Sequence, residues 1–334
     1  MIVSVVTAVR NERTAIGRFL DSVAAQDLAG VEWEVIAAEG MSDDGTREIL
    51  DRRAREWARL TVIDNPLRIA ATGLNAAVRR ARGEVVVRMD AHTEYAPDYI
   101  RECLAALDRT GAENVGGPAQ TRASGWLARA IAAAFHSAFA SGGAKFHNPD
   151  YEGPVDTVPY GCWQRETLER VGLFDETLAH DQDDELNLRI IRSGGRVWQS
   201  PRIRSWYRPR GTLRALFAQQ FGYGFWKVAV IRKHGHAGAW RPFAPAAAVL
   251  AGLCLAFLAP FAKWALVTLG LLAGAWLIAG LVASAAAAHR RGWDLLPLLP
   301  AVFATYQLAY GVGFLAGLPA GAARPRAAPG YLSR

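Results

Sequence analysis

Over its first ninety residues the chain repeats one pattern. A short run of β-branched and apolar residues gives way to a polar loop, and then to a stretch with helical spacing. The runs are Ile2 to Val9 (IVSVVTAV), Glu34 to Ala38, Leu60 to Ile63, and Val85 to Val87 within Gly83 to Pro97 (GEVVVRMDAHTEYAP). Between them, Ala15 to Ala25 places Ile16, Phe19, Leu20 and Val23 on one helical face, Arg47 to Trp57 is amphipathic, and Ala70 to Ala81 is alanine-rich. Short apolar runs bounded by turn residues predict buried strands, and the three-to-four spacing predicts helices. Connections of this length permit right-handed crossovers, so the expected fold is α/β, a mostly parallel sheet with helices on both faces. Ligands of such sheets bind outside the carboxyl ends of the strands.

The loops at those ends carry the chemistry. Arg10-Asn11-Glu12 follows the first strand, Glu39-Gly40-Met41-Ser42-Asp43-Asp44-Gly45-Thr46 the second, and Asp90-Ala91-His92 the fourth. An acid and an imidazole two residues apart can both reach a divalent metal or a metal-bound phosphate. Asp is equally a favoured turn residue, so this stretch alone leaves both readings open. Further on, helices are expected at Tyr99–Leu107, Gly125–Ala140 and Arg165–Val171, a strand end at Asn114–Gly117, and a β-branched and aromatic stretch at Val155–Trp163. Asp181, Asp183, Asp184 and Glu185 then put four acids within five residues, opening a helix over Leu186–Ile191 that Gly194-Gly195 ends. Capping and the helix dipole account for two such acids. Four ionised together repel, which raises at least one carboxyl pKa and suits a general base.

Charge and hydropathy divide the chain. From Arg241 to Arg334 the sole acid is Asp294, beside seven of the 38 Lys and Arg residues, so 1–240 holds 31 basic and 30 acidic residues and is nearly neutral. That does not suggest the clustered basic face of a nucleic-acid binder. Cys103, Cys162 and Cys254 lack metal-ligand spacing, and Met1 to Val9 lacks a signal-peptide layout. Gly211 to Trp240 is aromatic and basic, as expected of a helix lying in a membrane interface. Three apolar segments follow, near Phe243–Ala262, Trp264–Ala288 and Leu295–Leu318. The first two have the length to cross a hydrocarbon core of ~30 Å. The third, with Pro297 and Pro300 near its start, is expected to span, to kink or to be re-entrant. Arg241 and His289-Arg290-Arg291 would lie in the cytoplasm by the positive-inside rule, with the soluble part on the same side. The expected organisation is a domain over 1–210, an interface helix region over 211–240, two or three transmembrane helices over 241–320, and a basic tail over 321–334.

These landmarks resemble the family 2 inverting glycosyltransferases of the GT-A fold, and among them the succinoglycan-type glucosyltransferases of exopolysaccharide assembly. The resemblance covers roughly 1–235. It rests on the order of Arg10-Asn11-Glu12, the Glu39–Thr46 loop, Asp90-Ala91-His92, and Gln182-Asp183-Asp184-Glu185-Leu186-Asn187-Leu188-Arg189. Asp156-Thr157-Val158-Pro159-Tyr160-Gly161 and Gly172-Leu173-Phe174-Asp175-Glu176 look like acceptor-side segments. The resemblance implies that Ala8, Arg10, Glu12, Glu39 and Asp90 bind the nucleotide, with Glu39 standing where the family usually has Asp. It implies that Asp90 and His92 hold a divalent cation, Mn²⁺ or Mg²⁺, His92 replacing the family's second Asp. Neutral imidazole favours Mn²⁺. Asp183 is the implied base. Gln219 and Gln220 with Trp226 do not complete the Gln-x-x-Arg-Trp motif of processive synthases.

The implied activity is transfer of a hexose, expected to be glucose, from a nucleoside-diphosphate sugar (a UDP-sugar) to a polyprenyl-linked saccharide. The implied place is the cytoplasmic face of the inner membrane, with the chain multi-pass and in contact with membrane lipid. A transferase charging polyprenyl phosphate with one sugar, and a non-catalytic scaffold built on a degenerate transferase domain, are the alternatives. A transporter is disfavoured because Asp294 is the one acid in the apolar third and lies in a loop.

Overall fold

The computed structural model describes residues 1–238 and 240–320. The expected basic tail, with Arg324, Arg326 and Arg334, lies outside the described residues. The chain forms two compact units, Met1–Thr121 with Asn148–Arg208, and Arg122–His147 with the residues from 209 to 320.

The first unit opens with β1 (Ile2–Val9), α1 (Ile16–Ala24), β2 (Glu32–Glu39), α2 (Thr46–Glu56), β3 (Leu60–Asp64), α3 (Ala70–Arg80) and β4 (Val85–Arg88). It continues with β5 (Thr93–Tyr95), α4 (Tyr99–Thr110), β6 (Asn114–Gly116) and β7 (Gln120–Thr121). In the second unit lie α5 (Trp126–Phe135) and α6 (Ala138–Ser141). The first then resumes with β8 (Gly153–Pro154), β9 (Cys162–Gln164), α7 (Arg165–Val171), α8 (Gln182–Arg192), β10 (Val197–Gln199) and β11 (Ser205–Tyr207).

Eight strands make the main sheet in the order β3-β2-β1-β4-β9-β6-β10-β8. The four N-terminal strands are parallel, as their crossovers require. β9 runs antiparallel between β4 and β6, and β8 antiparallel at the edge beside β10. A small sheet, β5-β11-β7, stands beside it. Register matters for the site. Val9 pairs with Glu39 and Val6 with Arg88, so the loops after β1, β2 and β4 leave one edge together. The β-branched residues of β1 and β4 are buried, alternating between two cores: Val3, Val5, Val85 and Val87 face α1 and α4, whereas Val6, Ile36 and Val86 face α3 and α8. Burial on both faces is why these strands read as continuous apolar runs rather than as alternating ones.

The second unit is helical: α5, α6, α9 (Leu213–His234), α10 (Phe243–Leu258), α11 (Lys263–Arg291) and α12 (Leu299–Gly317). Here the structure corrects three expectations and decides between the alternatives left open for a fourth. The domain expected over 1–210 is interrupted, because residues 122–147 pack with the C-terminal helices. Ala130, Ile131 and Ala134 of α5 bury against a cluster holding Leu216, Val302 and Phe303. The helix expected over Gly125–Ala140 stops at Phe135, where Ser137 caps a new start by accepting the Phe139 N–H. The first apolar segment forms a helix of only 16 residues, about 24 Å at 1.5 Å per residue, which is short of a bilayer core. Pro297 and Pro300 do not kink α12, since Pro300 falls in its first turn, where a missing N–H costs little. Among the described residues two helices, α11 and α12, are long and apolar enough to cross a membrane. α9, expected at an interface, lays one face along α12: a Cβ on Gly224 would strike the Tyr310 carbonyl, and one on Gly313 the Phe221 carbonyl.

Candidate active site

The polar edge of the main sheet gathers the residues singled out from the sequence. Glu39 ends β2 and is only 1% exposed. Its carboxylate accepts the N–H groups of Met41 (3.1 Å) and Ser42 (2.7 Å), with Arg47 3.5 Å away. It therefore organises its own loop. Asn11 ties the neighbouring loop on, donating its N–H to Ser42 Oγ and accepting the Asp43 N–H, while Glu12 donates its N–H to Thr46 Oγ1. Ala8 sits near the end of β1, and the Arg10 side chain lies against Gly40. Buried Glu12 aims one carboxylate oxygen at His92 Nδ1, 3.7 Å away, and its other oxygen is buried without a hydrogen-bond partner. So Arg10, Glu12, Glu39 and His92 share one edge, as expected.

Asp90 and Asp183, 93 residues apart in sequence, are joined by a residue to which sequence reasoning gave no role. Arg88, the last residue of β4, is 8% exposed. Its Nε and Nη2 donate to the two oxygens of Asp90 at 2.8 and 2.9 Å, and its Nη1 donates to Asp183 Oδ1. The guanidinium also stands over the Phe174 ring. A charged side chain closing a Val run, two positions before an acid, was the available signal. A buried cation needs such pairing, because an unpaired one costs several kcal/mol by rough estimate.

Asp90 is held further by its N–H donating to Tyr95 Oη at 2.6 Å. On the other side Tyr160, at φ 64°, and Gly161, at φ 105°, take left-handed backbone conformations beside the Asp183 carboxylate. A Cβ on Gly161 would collide with the Trp163 ring and Asn114 Oδ1, which explains the glycine. The acid cluster is not uniform. Glu185 is fully buried and grips Arg189, whose guanidinium also reaches the carbonyls of Val171, Gly172 and Leu173. Asn187, one turn beyond Asp183, accepts from Asn114 at 2.6 Å and donates to Thr157 at 2.8 Å, fixing α8 to the sheet.

These environments push the two carboxylates apart. Burial would raise Asp90, but the charge and hydrogen bonds of Arg88 outweigh it and hold this group below the usual carboxylate range. Burial raises Asp183, and Asp90 and Asp184 raise it further against Arg88 and the Tyr160 N–H, leaving it at about 6. At 28% exposure the Asp183 side chain still meets solvent. A separated pair of this kind is the usual arrangement of an ionised ligand group and a proton acceptor.

A divalent cation fits this donor set. Each Asp90 oxygen keeps a lone pair beyond its bond to Arg88, and His92 is half exposed. One guanidinium between two carboxylates leaves a negative charge over. Among the described residues no three metal-ligating side chains cluster. Mg²⁺-type sites take one or two protein ligands and complete their shell with phosphate oxygens and water.

Residues 4–165 match the description of glycosyl transferase family 2. A succinoglycan biosynthesis protein, ExoA, of Rhizobium meliloti (strain 1021) is 31% identical over 81% of this chain and 84% of its own length. A dolichyl N-acetyl-alpha-D-glucosaminyl phosphate 3-beta-D-2,3-diacetamido-2,3-dideoxy-beta-D-glucuronosyltransferase of Methanococcus voltae is 25% identical over 69% of this chain and 74% of its own. Among solved structures, a mannosyltransferase from Pyrobaculum calidifontis in complex with GDP-Man and Mn²⁺ superposes with a TM-score of 0.59. It is 25% identical and covers 94% of this chain and 86% of its own.

Proposed function

The chain belongs to glycosyltransferase family 2, and from that premise we propose that it is an inverting hexosyltransferase. It moves a hexose, glucose first among candidates, from a UDP-sugar to a polyprenyl-linked saccharide in exopolysaccharide or cell-surface glycan synthesis. The observation that carries this reading is the joining of Asp90 and Asp183 through Arg88 at the carboxyl edge of the sheet. It sets a proton acceptor beside the place where such sheets bind ligands.

In this reading Ala8, Arg10, Glu12 and the Glu39 loop hold the base and ribose, and Asp90 with His92 holds the cation. When bound, that cation, Mn²⁺ or Mg²⁺, offsets charge on the diphosphate. Asp183 accepts the proton of an acceptor hydroxyl whose oxygen bonds to the anomeric carbon. The bond from that carbon to the diphosphate oxygen breaks, its electron pair leaving on the nucleoside diphosphate. One displacement inverts the anomeric centre, and a single base suffices.

The acceptor assignment draws on the lipid-phosphate wording of the Methanococcus relative and on the helices of the second unit. α11 exposes Leu266, Val267, Leu271, Ile278 and Val282 along its 29 residues and ends in His289-Arg290-Arg291. An apolar helix with His289, Arg290 and Arg291 at one end against the single Lys263 at the other suits a multi-pass protein of the cytoplasmic membrane whose more basic ends, and first unit, face the cytoplasm.

The test is a panel of nucleotide sugars given to full-length protein in nanodiscs with Mn²⁺ or Mg²⁺, scoring nucleoside-diphosphate release. Polyprenyl phosphate and a polyprenyl-diphosphate saccharide serve as separate acceptors. Release from UDP-glucose that depends on the saccharide acceptor is expected. Turnover of no nucleotide sugar, or turnover with polyprenyl phosphate alone, would contradict the proposal.

A further inference from the structure

We infer that Arg88 is a positioning residue that fixes the base on α8 relative to the donor pole at Asp90, so that the two carboxylates work as one unit. This rests on the assignment of Asp183 as base. Arg88 ends a strand buried on both faces, so its Cα is among the best-fixed points of the sheet. Its guanidinium spends two donors as a fork on Asp90 and a third on Asp183, and Phe174 lies beneath it. The Gly172–Glu176 segment that carries Phe174 is itself pinned: Asn75 donates to the Phe174 carbonyl at 2.8 Å and accepts its N–H at 2.9 Å, and Arg189 grips the preceding carbonyls. The planar side chain is thus held above and at both ends.

The chemistry needs a guanidinium. Donors on three nitrogens in one rigid plane reach two carboxylates at a fixed angle, whereas an ammonium is a point charge that satisfies one partner well. A buried charge triad gives little stability over an apolar replacement, so its presence at this edge is better explained by placement than by folding. Arg88 touches neither the acceptor hydroxyl nor the anomeric carbon in this account; it acts through Asp183.

A double-mutant cycle on the full-length protein in nanodiscs tests this, with Arg88→Lys, Asp183→Asn and the double variant. The readouts are kcat, nucleoside-diphosphate affinity and thermal unfolding. Arg88→Lys keeps the charge but loses the fork, and kcat should fall by about 10²-fold, the cost of a misplaced group. Nucleoside-diphosphate affinity should also fall, because the fork on Asp90 is lost, but by less than kcat, whose loss carries the misplacement of Asp183 as well. In the double variant kcat should match Asp183→Asn alone, because residues that act as a unit are not additive. Guanidinium ion should restore part of the rate to Arg88→Ala and none to Arg88→Ala combined with Asp183→Asn. Wild-type kcat in Arg88→Lys, or losses that multiply in the double variant, would overturn the inference. Wild-type kcat in Asp183→Asn would instead overturn the base assignment. If Arg88→Ala does not fold, the Lys cycle still decides.

Discussion

The two units of this chain solve opposite problems with similar residues. In the first, Val, Ile and Leu turn inward onto both faces of a sheet, and buried charges are tied to partners, Arg88 to Asp90 and Asp183 at one edge, Glu34 to Arg82 and Glu185 to Arg189 elsewhere. In the second, Leu250, Leu253, Phe257, Leu271 and Ile278 face outward, and the helices meet on small residues, Gly224 against Tyr310 and Gly313 against Phe221. Polar contacts also join its helices, such as the chain from Trp276 Nε1 to Gln307 (2.6 Å) and on to the Phe139 carbonyl (2.7 Å). Burial of apolar area drives the first arrangement, while close packing and interhelical hydrogen bonds drive the second, as expected where the surroundings are themselves apolar. The proposed site in the first unit and the helix packing of the second should therefore each fail by its own kind of substitution.

The largest expected effect falls on the first unit alone. Asp183→Asn should lower kcat by about 10²–10⁴-fold, the usual worth of a general base. Thermal unfolding and recovery with membranes should be unchanged or improved, and loss of either would mean that the separation fails. Next comes a purely structural lesion in the second unit. Gly224→Leu drives a side chain into the backbone at Tyr310 and Phe314, so it should destabilise α9 on α12 by about 1–3 kcal/mol or more. It should appear as a lower unfolding temperature in detergent, with nucleoside-diphosphate binding retained.

Acidity should act on the site with a smaller, graded effect. With Asp183 raised to about 6, chiefly by burial, kcat/KM should fall about tenfold per unit as pH drops below 6. Stability should run the other way. A carboxyl raised on folding contributes stability that is fully present below its ordinary range and lost as pH climbs through 6. The unfolding temperature of the wild type, relative to Asp183→Asn, should therefore decline across that window while activity rises. The smallest effect concerns the cation: Mn²⁺ should support turnover better than Mg²⁺ by about threefold, and His92→Asp should reverse the preference, following ligand softness.

Much of the first unit could be read from residue pattern because its strands are buried on both faces, leaving runs rich in β-branched residues in β1 and β4. The loop after β4 and the acid cluster opening α8 single out Asp90 and the acids around Asp183 by residue type, whereas Glu12 and Glu39 are assigned through the family resemblance. Arg88 escaped notice because its role depends on strand register and on a partner 95 residues away, which local pattern does not encode. Glu39 proved more inward than a ligand-facing acid, held by backbone groups of its own loop. The second unit was less legible. An apolar run gives hydropathy but not the helix end, so Phe243–Ala262 looked long enough to span while the helix stops at Leu258, short of Pro260. Nor could periodicity show that α5, whose alanines fit either environment, buries against α12 and not the sheet.

The central claim is a single displacement assisted by one base, and the stereochemistry of the product tests it most directly. The protein would be given an α-linked nucleotide sugar and a defined lipid-linked acceptor, and the anomeric proton of the new linkage read by NMR. A β-linked product is predicted. An α-linked product would contradict the account, since retention requires either a second displacement or a front-face reaction for which Asp183 is not the needed base.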